Sequence, residues 1–208
     1  MKKDNNLKNY IYNELLKSII EGEYQPEDVI SEKDLVEKFH VSKSPVREAL
    51  IELCNEGVLR SIPRYGYEVI RLTESDVEDM RKFRIILECG CLDKYWDMIT
   101  PAQIECLQKV YSDNYQENLE YSVTTHWQNN MNFHLTLISF FNNQYIYQAL
   151  NACMKTLLRA YSQFYWDKWH KTIFVSNANN HKQLIMYLKQ NDKANAIKCL
   201  EKDITAFK

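Results

Sequence analysis

Ser42, Lys43, Ser44 and Arg47 gather two hydroxyls, an ammonium and a guanidinium within six residues. On a helix, Lys43 and Arg47 lie four apart on one face, and the whole group sits at the leading end. Hydroxyls and the free N–H groups of a helix N-terminus suit phosphate oxygens, while an arginine fork matches two acceptors on guanine. A second group, Arg64-Tyr65-Gly66, offers a cation, an aromatic ring and a glycine at one turn. These residue types at these spacings point to contact with a nucleic-acid backbone and its base edges.

Such groups act only if something holds them outward. Ser31, followed by Glu32 and Asp34, caps a helix whose inward residues are Leu35, Val36 and Phe39 and which ends near His40. Ser42 or Ser44 caps the next helix, with Pro45 in its first turn, where a missing N–H costs nothing. Val46, Ala49, Leu50 and Leu53 recur at helical spacing on a different face from the cations. Gly57 reads as the αL stop of that helix. Two short strands, 58–62 and 67–70, then pair around Pro63-Arg64-Tyr65-Gly66, completing the outline of a winged helix-turn-helix. An amphipathic helix over 7–21, with Leu7, Tyr10, Ile11, Leu15, Ile19 and Ile20 inward, packs on it, and residues 21–26 supply an extended connection.

The run from Val41 to Leu50 (VSKSPVREAL), then Leu53, Glu56-Gly57-Val58-Leu59 and Arg64-Tyr65-Gly66-Tyr67-Glu68-Val69, resembles the GntR family of bacterial transcription regulators. The resemblance covers roughly residues 10 to 71. It implies that Arg47, Lys43, Lys33 at the start of the preceding helix, and the wing tip Tyr65-Gly66 contact double-stranded DNA. Where Lys43 stands the family more usually carries arginine, so a point charge replaces a fork there.

Charge alone does not point to DNA. Up to Arg71 there are 11 Lys+Arg against 13 Asp+Glu, and the remainder holds 15 of each, giving the net charge of −2. A general nucleic-acid binder is basic, so recognition rests on where Lys33, Lys43, Arg47, Arg60 and Arg64 sit. Glu48, Glu52 and Glu56 recur every four residues and form an acidic stripe on the same helix, read as a solvated or salt-bridged face. Six cysteines form no CxxC pair and fall mostly at apolar positions, as buried thiols in a reducing compartment do. No apolar run is long enough to span a bilayer, and the N-terminus lacks a signal-peptide core, so a soluble cytoplasmic protein is expected.

Past Leu72 the texture changes: Gly90 is the sole glycine and Pro101 the sole proline, and no alternating strand pattern occurs. The expected fold is therefore mostly α, with residues 1–72 as the winged domain and 73–208 as an all-α bundle. Helices are expected near 75–98, 101–118, 121–141, 143–169, 174–190 and 192–206. Residues 84–88 (RIILE), Asn132-Phe133-His134 with Asn143, and His181 leading into Asn191-Asp192 and Ala196 resemble the FCD effector-binding domain. In that family one Asp and three His converge on a divalent metal beside an organic-acid effector. The matching positions here are Asn130, His134, His181 and Asp203. Asn130 and His134 share a helix face, and His181 and Asp203 lie at similar heights about the turn at Gln190-Asn191, at ~1.5 Å of rise per residue.

Two imidazoles and a carboxylate suit Zn²⁺, Ni²⁺ or Mn²⁺, with an asparagine carbonyl as a weak addition. The alternatives are a hydrogen-bonded polar core around His134 and His181, or direct anion binding there. Arg84 and Glu88 form an internal ion pair, or Arg84 meets an effector carboxylate as the resemblance implies; Arg159 is a second candidate for that contact. His40, His126 and His170 read as surface or interface residues, and Tyr161, Phe164, Tyr165, Trp166 and Trp169 as core or dimer contact. The whole reading is a homodimeric, ligand-responsive repressor on a palindromic operator. A bundle serving only as a dimerisation scaffold is the alternative, and a metal-dependent hydrolase is a remote one that lacks a nucleophile or general base.

Overall fold

The structure is a computed structural model, and it describes residues 2–115, 123–165 and 171–206. Two compact units emerge: residues 1–74 together with 158–165, and residues 75–157 together with 166–208. No helix among the described residues is long and apolar enough to cross a membrane.

In the first unit, helix α1 (Lys2–Ile20) precedes strand β1 (Val29–Ile30), helix α2 (Glu32–Phe39), helix α3 (Lys43–Asn55) and strands β2 (Leu59–Ile62) and β3 (Gly66–Val69). The Ser31 hydroxyl accepts from the Lys33 N–H and opens α2, which ends at His40 in the left-handed region. Gly57 follows the cap of α3 with φ +66°, the stop read from sequence. Ile11, Leu15 and Ile19 of α1, Leu35 of α2, and Val46, Ala49, Leu50 and Leu53 of α3 close one core with Ile30, Val58, Leu59 and Val69. Burying these side chains is what holds the short helices in place.

The connection over 21–26, expected to be extended, is built mostly of turns and bends, and strand β1 follows it, so the sheet has the order β1-β3-β2, all antiparallel. Gly66 opens β3 opposite Ile62, and any Cβ there would lie 2.5 Å from the Ile30 carbonyl oxygen of β1. The wing therefore needs glycine at its tip because a third strand passes behind it.

The second unit begins with α4 (Glu74–Arg84), expected to run unbroken to residue 98. Instead a π-helical turn (Ile85–Cys89) follows, then α5 (Gly90–Lys94) and a 3₁₀ turn (Trp96–Met98). Such widened turns cluster at functional sites because they re-aim side chains. Next come α6 (Pro101–Asn114), α7 (Val123–Ser139), α8 (Gln144–Tyr165, whose residues 158–165 count with the first unit), α9 (Lys171–Lys189) and α10 (Lys193–Thr205). Thr100 and Gln103 form a reciprocal capping box on α6 with Pro101 in its first turn, and Asp192 caps α10. Trp127, Phe133, Leu137, Leu150, Met154, Leu184 and Leu200 are among the fully buried side chains of this unit. Trp166, Trp169 and His170 lie outside the described residues.

Candidate functional site

On the winged unit the expected DNA-facing groups are on the leading ends of α2 and α3 and on one turn. Ser42 is the N-cap residue of α3, yet its hydroxyl makes no capping bond, so capping does not occupy it. Lys43 and Ser44 are exposed, but the Ser44 hydroxyl donates to Glu48 at 2.9 Å. Lys33 is exposed beside Glu37 at 3.8 Å, and Arg64 (φ +70°) and Tyr65 (78 % exposed) form the wing tip. Arg47 is exposed and donates through Nε and Nη2 to the Glu32 carboxylate at 3.1 and 3.0 Å.

The acidic stripe is occupied: Glu52 pairs with Lys8 at 2.6 Å, and Glu56 accepts from the Tyr12 hydroxyl at 2.5 Å. Burial and the Glu56 carboxylate push the Tyr12 phenol above its ordinary value, so it stays a donor. Arg159 falls within this unit, where its Nη1 donates to the Gly57 carbonyl at 2.8 Å. Burial draws its guanidinium down to about 10. Arg84 lies in the other unit.

In the bundle, α7, α9 and α10 bring His134, His181 and Asp203 together, all fully buried. His134 Nε2 lies 3.0 Å from Asp203 Oδ2, His181 Nε2 lies 3.4 Å from the same oxygen, and the two Nε2 atoms are 3.4 Å apart. Glu88, at the π turn, accepts from His134 Nδ1 at 2.6 Å and from Arg84 Nε at 2.6 Å. Tyr115 reaches His181 Nδ1 at 3.3 Å, and the Phe133 ring stacks on His181 at 3.8 Å. Asn130 is buried one turn before His134 on the same face.

His126 is buried a further turn back, which corrects its reading as a surface or interface residue. Burial and the neighbouring His181 take it down to about 4, so it is neutral. Nothing in the sequence marks the contacts of Glu88 with His134 and of Tyr115 with His181. Only the Arg84–Glu88 spacing of four pointed to part of this network.

The electrostatics follow from burial set against close partners. Burial opposes ionisation of Glu88, yet Arg84 and His134 hold its carboxyl below the usual value. Burial likewise opposes the Asp203 ion, and His181 and His134 hold it far below the carboxylate range. Burial disfavours imidazolium at His134, but Glu88 lifts it above its ordinary value. At His181 burial wins and the ring is neutral. To hold a metal, each Nδ1–H would donate, His134 to Glu88 and His181 to the Tyr115 oxygen, which leaves both Nε2 lone pairs for the ion; without an ion the His134 Nε2–H donates to Asp203.

A metal fits this donor set. Four ligands around Zn²⁺ at ~2.0–2.1 Å stand ~3.3–3.4 Å apart, close to the triangle formed by the two Nε2 atoms and Oδ2. Asp203 Oδ1 is also buried without a hydrogen-bond partner among the described residues.

Comparison with known families decides what this arrangement belongs to. Residues 7–69 match the model described as bacterial regulatory proteins, gntR family, and residues 79–206 match the FCD domain. The chain belongs to the GntR family, with an FCD domain behind its winged unit. Over 142 residues it is 31 % identical to an uncharacterized HTH-type transcriptional regulator, YdhC, of Bacillus subtilis, covering 67 % of this chain and 62 % of that protein. It is 27 % identical to the gluconate operon transcriptional repressor of Bacillus subtilis over 91 % of this chain and 79 % of the other. The fold is similar to that of Escherichia coli McbR/YncC, with a TM-score of 0.75 at 20 % identity over 95 % and 93 % of the two chains. This GntR-family protein is a DNA-binding transcriptional regulator with an effector-binding domain, and the family assignment removes the hydrolase reading.

Proposed function

We propose that this GntR-family regulator is a homodimeric, ligand-responsive repressor whose α3 ends enter successive major grooves of a palindromic operator. The observation that carries it is the leading end of α3, where Lys43 and Arg47 are exposed above a face made of Val46, Ala49, Leu50 and Leu53. Arg47 reads a base edge, Lys43, Lys33 and Ser42 engage phosphates, and Arg64, Tyr65 and Gly66 bring the wing to the adjacent groove or backbone. Two-fold symmetry of the protein then dictates two-fold symmetry of the operator. Repression agrees with the gluconate operon repressor's role, though that protein's effector is its own.

In the bundle, His134, His181 and Asp203 hold a divalent cation such as Zn²⁺, Ni²⁺ or Mn²⁺, with Asn130 a turn away. A bound cation supplies fixed positive charge and open coordination positions for an anionic effector, an organic acid being the simplest class. Arg84 adds positive charge beside it. The effector acts by binding more tightly to one of two states that differ in DNA affinity.

A second reading has one specific observation behind it: Glu88 and Asp203 flank His134 on both ring nitrogens, so a proton on that ring balances the core without metal. Elemental analysis of protein purified without chelator separates the two readings. Stoichiometric metal, lost in His134→Ala and His181→Ala, is expected; metal-free wild type supports the protonated core.

A further inference from the structure

Arg47 does not wave free at the head of α3. Its Nε–H and one Nη2–H reach Glu32, the first residue of α2, at 3.1 and 3.0 Å. Glu32 is itself fixed, because the Ser31 cap begins α2 at that point and only 21 % of its side chain is exposed, against 59 % for Arg47. Tyr67 of β3 shares the neighbourhood: burial, then the Glu32 carboxylate, push its phenol above the ordinary value.

An arginine has five donors in one plane, and two of its edges each present a pair of parallel N–H groups as a fork. The side-on edge, Nε with Nη2, is the one Glu32 occupies. The end-on edge, Nη1 with the second Nη2 hydrogen, is untouched by that contact. Its two parallel N–H groups have the spacing that O6 and N7 of guanine accept. An exposed ion pair adds little to stability, so the fold gives no reason of its own for this contact.

We propose that Glu32 is a positioning residue for base reading: it grips the side-on edge of Arg47 and thereby presents the end-on fork to a guanine in the major groove. The alternative for the same pair is a resting counter-ion that DNA phosphates must displace, in which case Glu32 opposes binding. The two differ in sign. A positioning carboxylate makes discrimination between bases depend on Glu32. A counter-ion depresses affinity for every duplex alike and leaves discrimination untouched.

The inference rests on Arg47 as a base contact, and the experiment separates the two claims. A duplex is selected from a randomised pool with the full-length chain, and each guanine is replaced in turn by 7-deazaguanine, which removes only the N7 acceptor. Binding is read by fluorescence anisotropy for wild type, Glu32→Gln, Glu32→Asp, Arg47→Ala and Glu32→Gln/Arg47→Ala. In the wild type one position per half-site is expected to show a penalty of about ten-fold, the discrimination a bidentate arginine–guanine contact gives. That penalty shrinks below about three-fold in Glu32→Gln, and equally in Glu32→Asp, whose shorter side chain keeps the charge but loses the reach.

The double variant shows no more loss of discrimination than Arg47→Ala alone. A full penalty persisting in the Glu32 variants overturns the proposal, as does uniform tightening on all duplexes with the penalty intact. A penalty that survives Arg47→Ala overturns instead the reading of Arg47 as the base contact.

Discussion

His134 stands between two carboxylates, Glu88 on one ring nitrogen and Asp203 on the other, with Arg84 closing the chain behind Glu88. None of these groups reaches solvent, so each one's charge depends on its neighbours. Replacing Arg84 by methionine removes the cation and leaves Glu88 buried with His134 alone. Urea unfolding of Arg84→Met is expected to show a loss of about 3 kcal/mol, the scale for breaking one side of a buried pair. A change under about 0.5 kcal/mol, the scale of an ordinary surface substitution, would mean that the pair is dispensable. The Arg84–Glu88 contact was legible because four residues on a helix make a neighbour. The Glu88–His134 contact, 46 residues apart, was not, and neither was the burial of His126, because nothing local marks which helix covers a face.

At the scale of elements, the helix-turn-helix and the hairpin were readable because each carries its own punctuation: the Ser31 cap, Pro45, Gly57 and Gly66. Strand β1 has only two residues, too few for a period of two to register, and its partner β3 lies about forty residues on. The π turn over Ile85–Cys89, which buries Glu88, has no sequence signal either. The wing gives the test at this scale. At Gly66, φ is +138° and an added methyl would meet the Ile30 carbonyl at 2.5 Å. Gly66→Ala is expected to cost roughly 1–3 kcal/mol in thermal or urea unfolding. It should also weaken DNA binding in anisotropy titrations by displacing Tyr65. Unchanged stability and affinity would show that β1 does not constrain the tip.

For the whole molecule, a net charge of −2 on a DNA-binding protein means that attraction must be local. With Arg60 held by Glu68 opposite it on β3, Lys33, Lys43, Arg47 and Arg64 give at most four phosphate or base partners per copy. The slope of log affinity against log salt should therefore be no steeper than about −7 for a dimer. A much steeper slope would require cations outside the winged unit's leading edge. Metal occupancy has a global readout too. If the cation is present at about a hundred times its dissociation constant, adding a strong chelator should lower the melting temperature by on the order of 5 °C. No shift on chelation would favour the protonated core.

The claim on which the rest stands is that the leading end of α3 reads sequence through Arg47. It is tested by anisotropy titration of wild type and Arg47→Ala against the selected duplex and a scrambled duplex of equal length and composition, in one buffer of physiological ionic strength. The wild type is expected to prefer the selected duplex by at least about a thousand-fold, the usual gap between specific and non-specific binding. In Arg47→Ala that preference should fall by one to two orders of magnitude, as the loss of a bidentate contact in each half-site requires, with the melting temperature unchanged. A variant that keeps the wild-type preference would contradict the account.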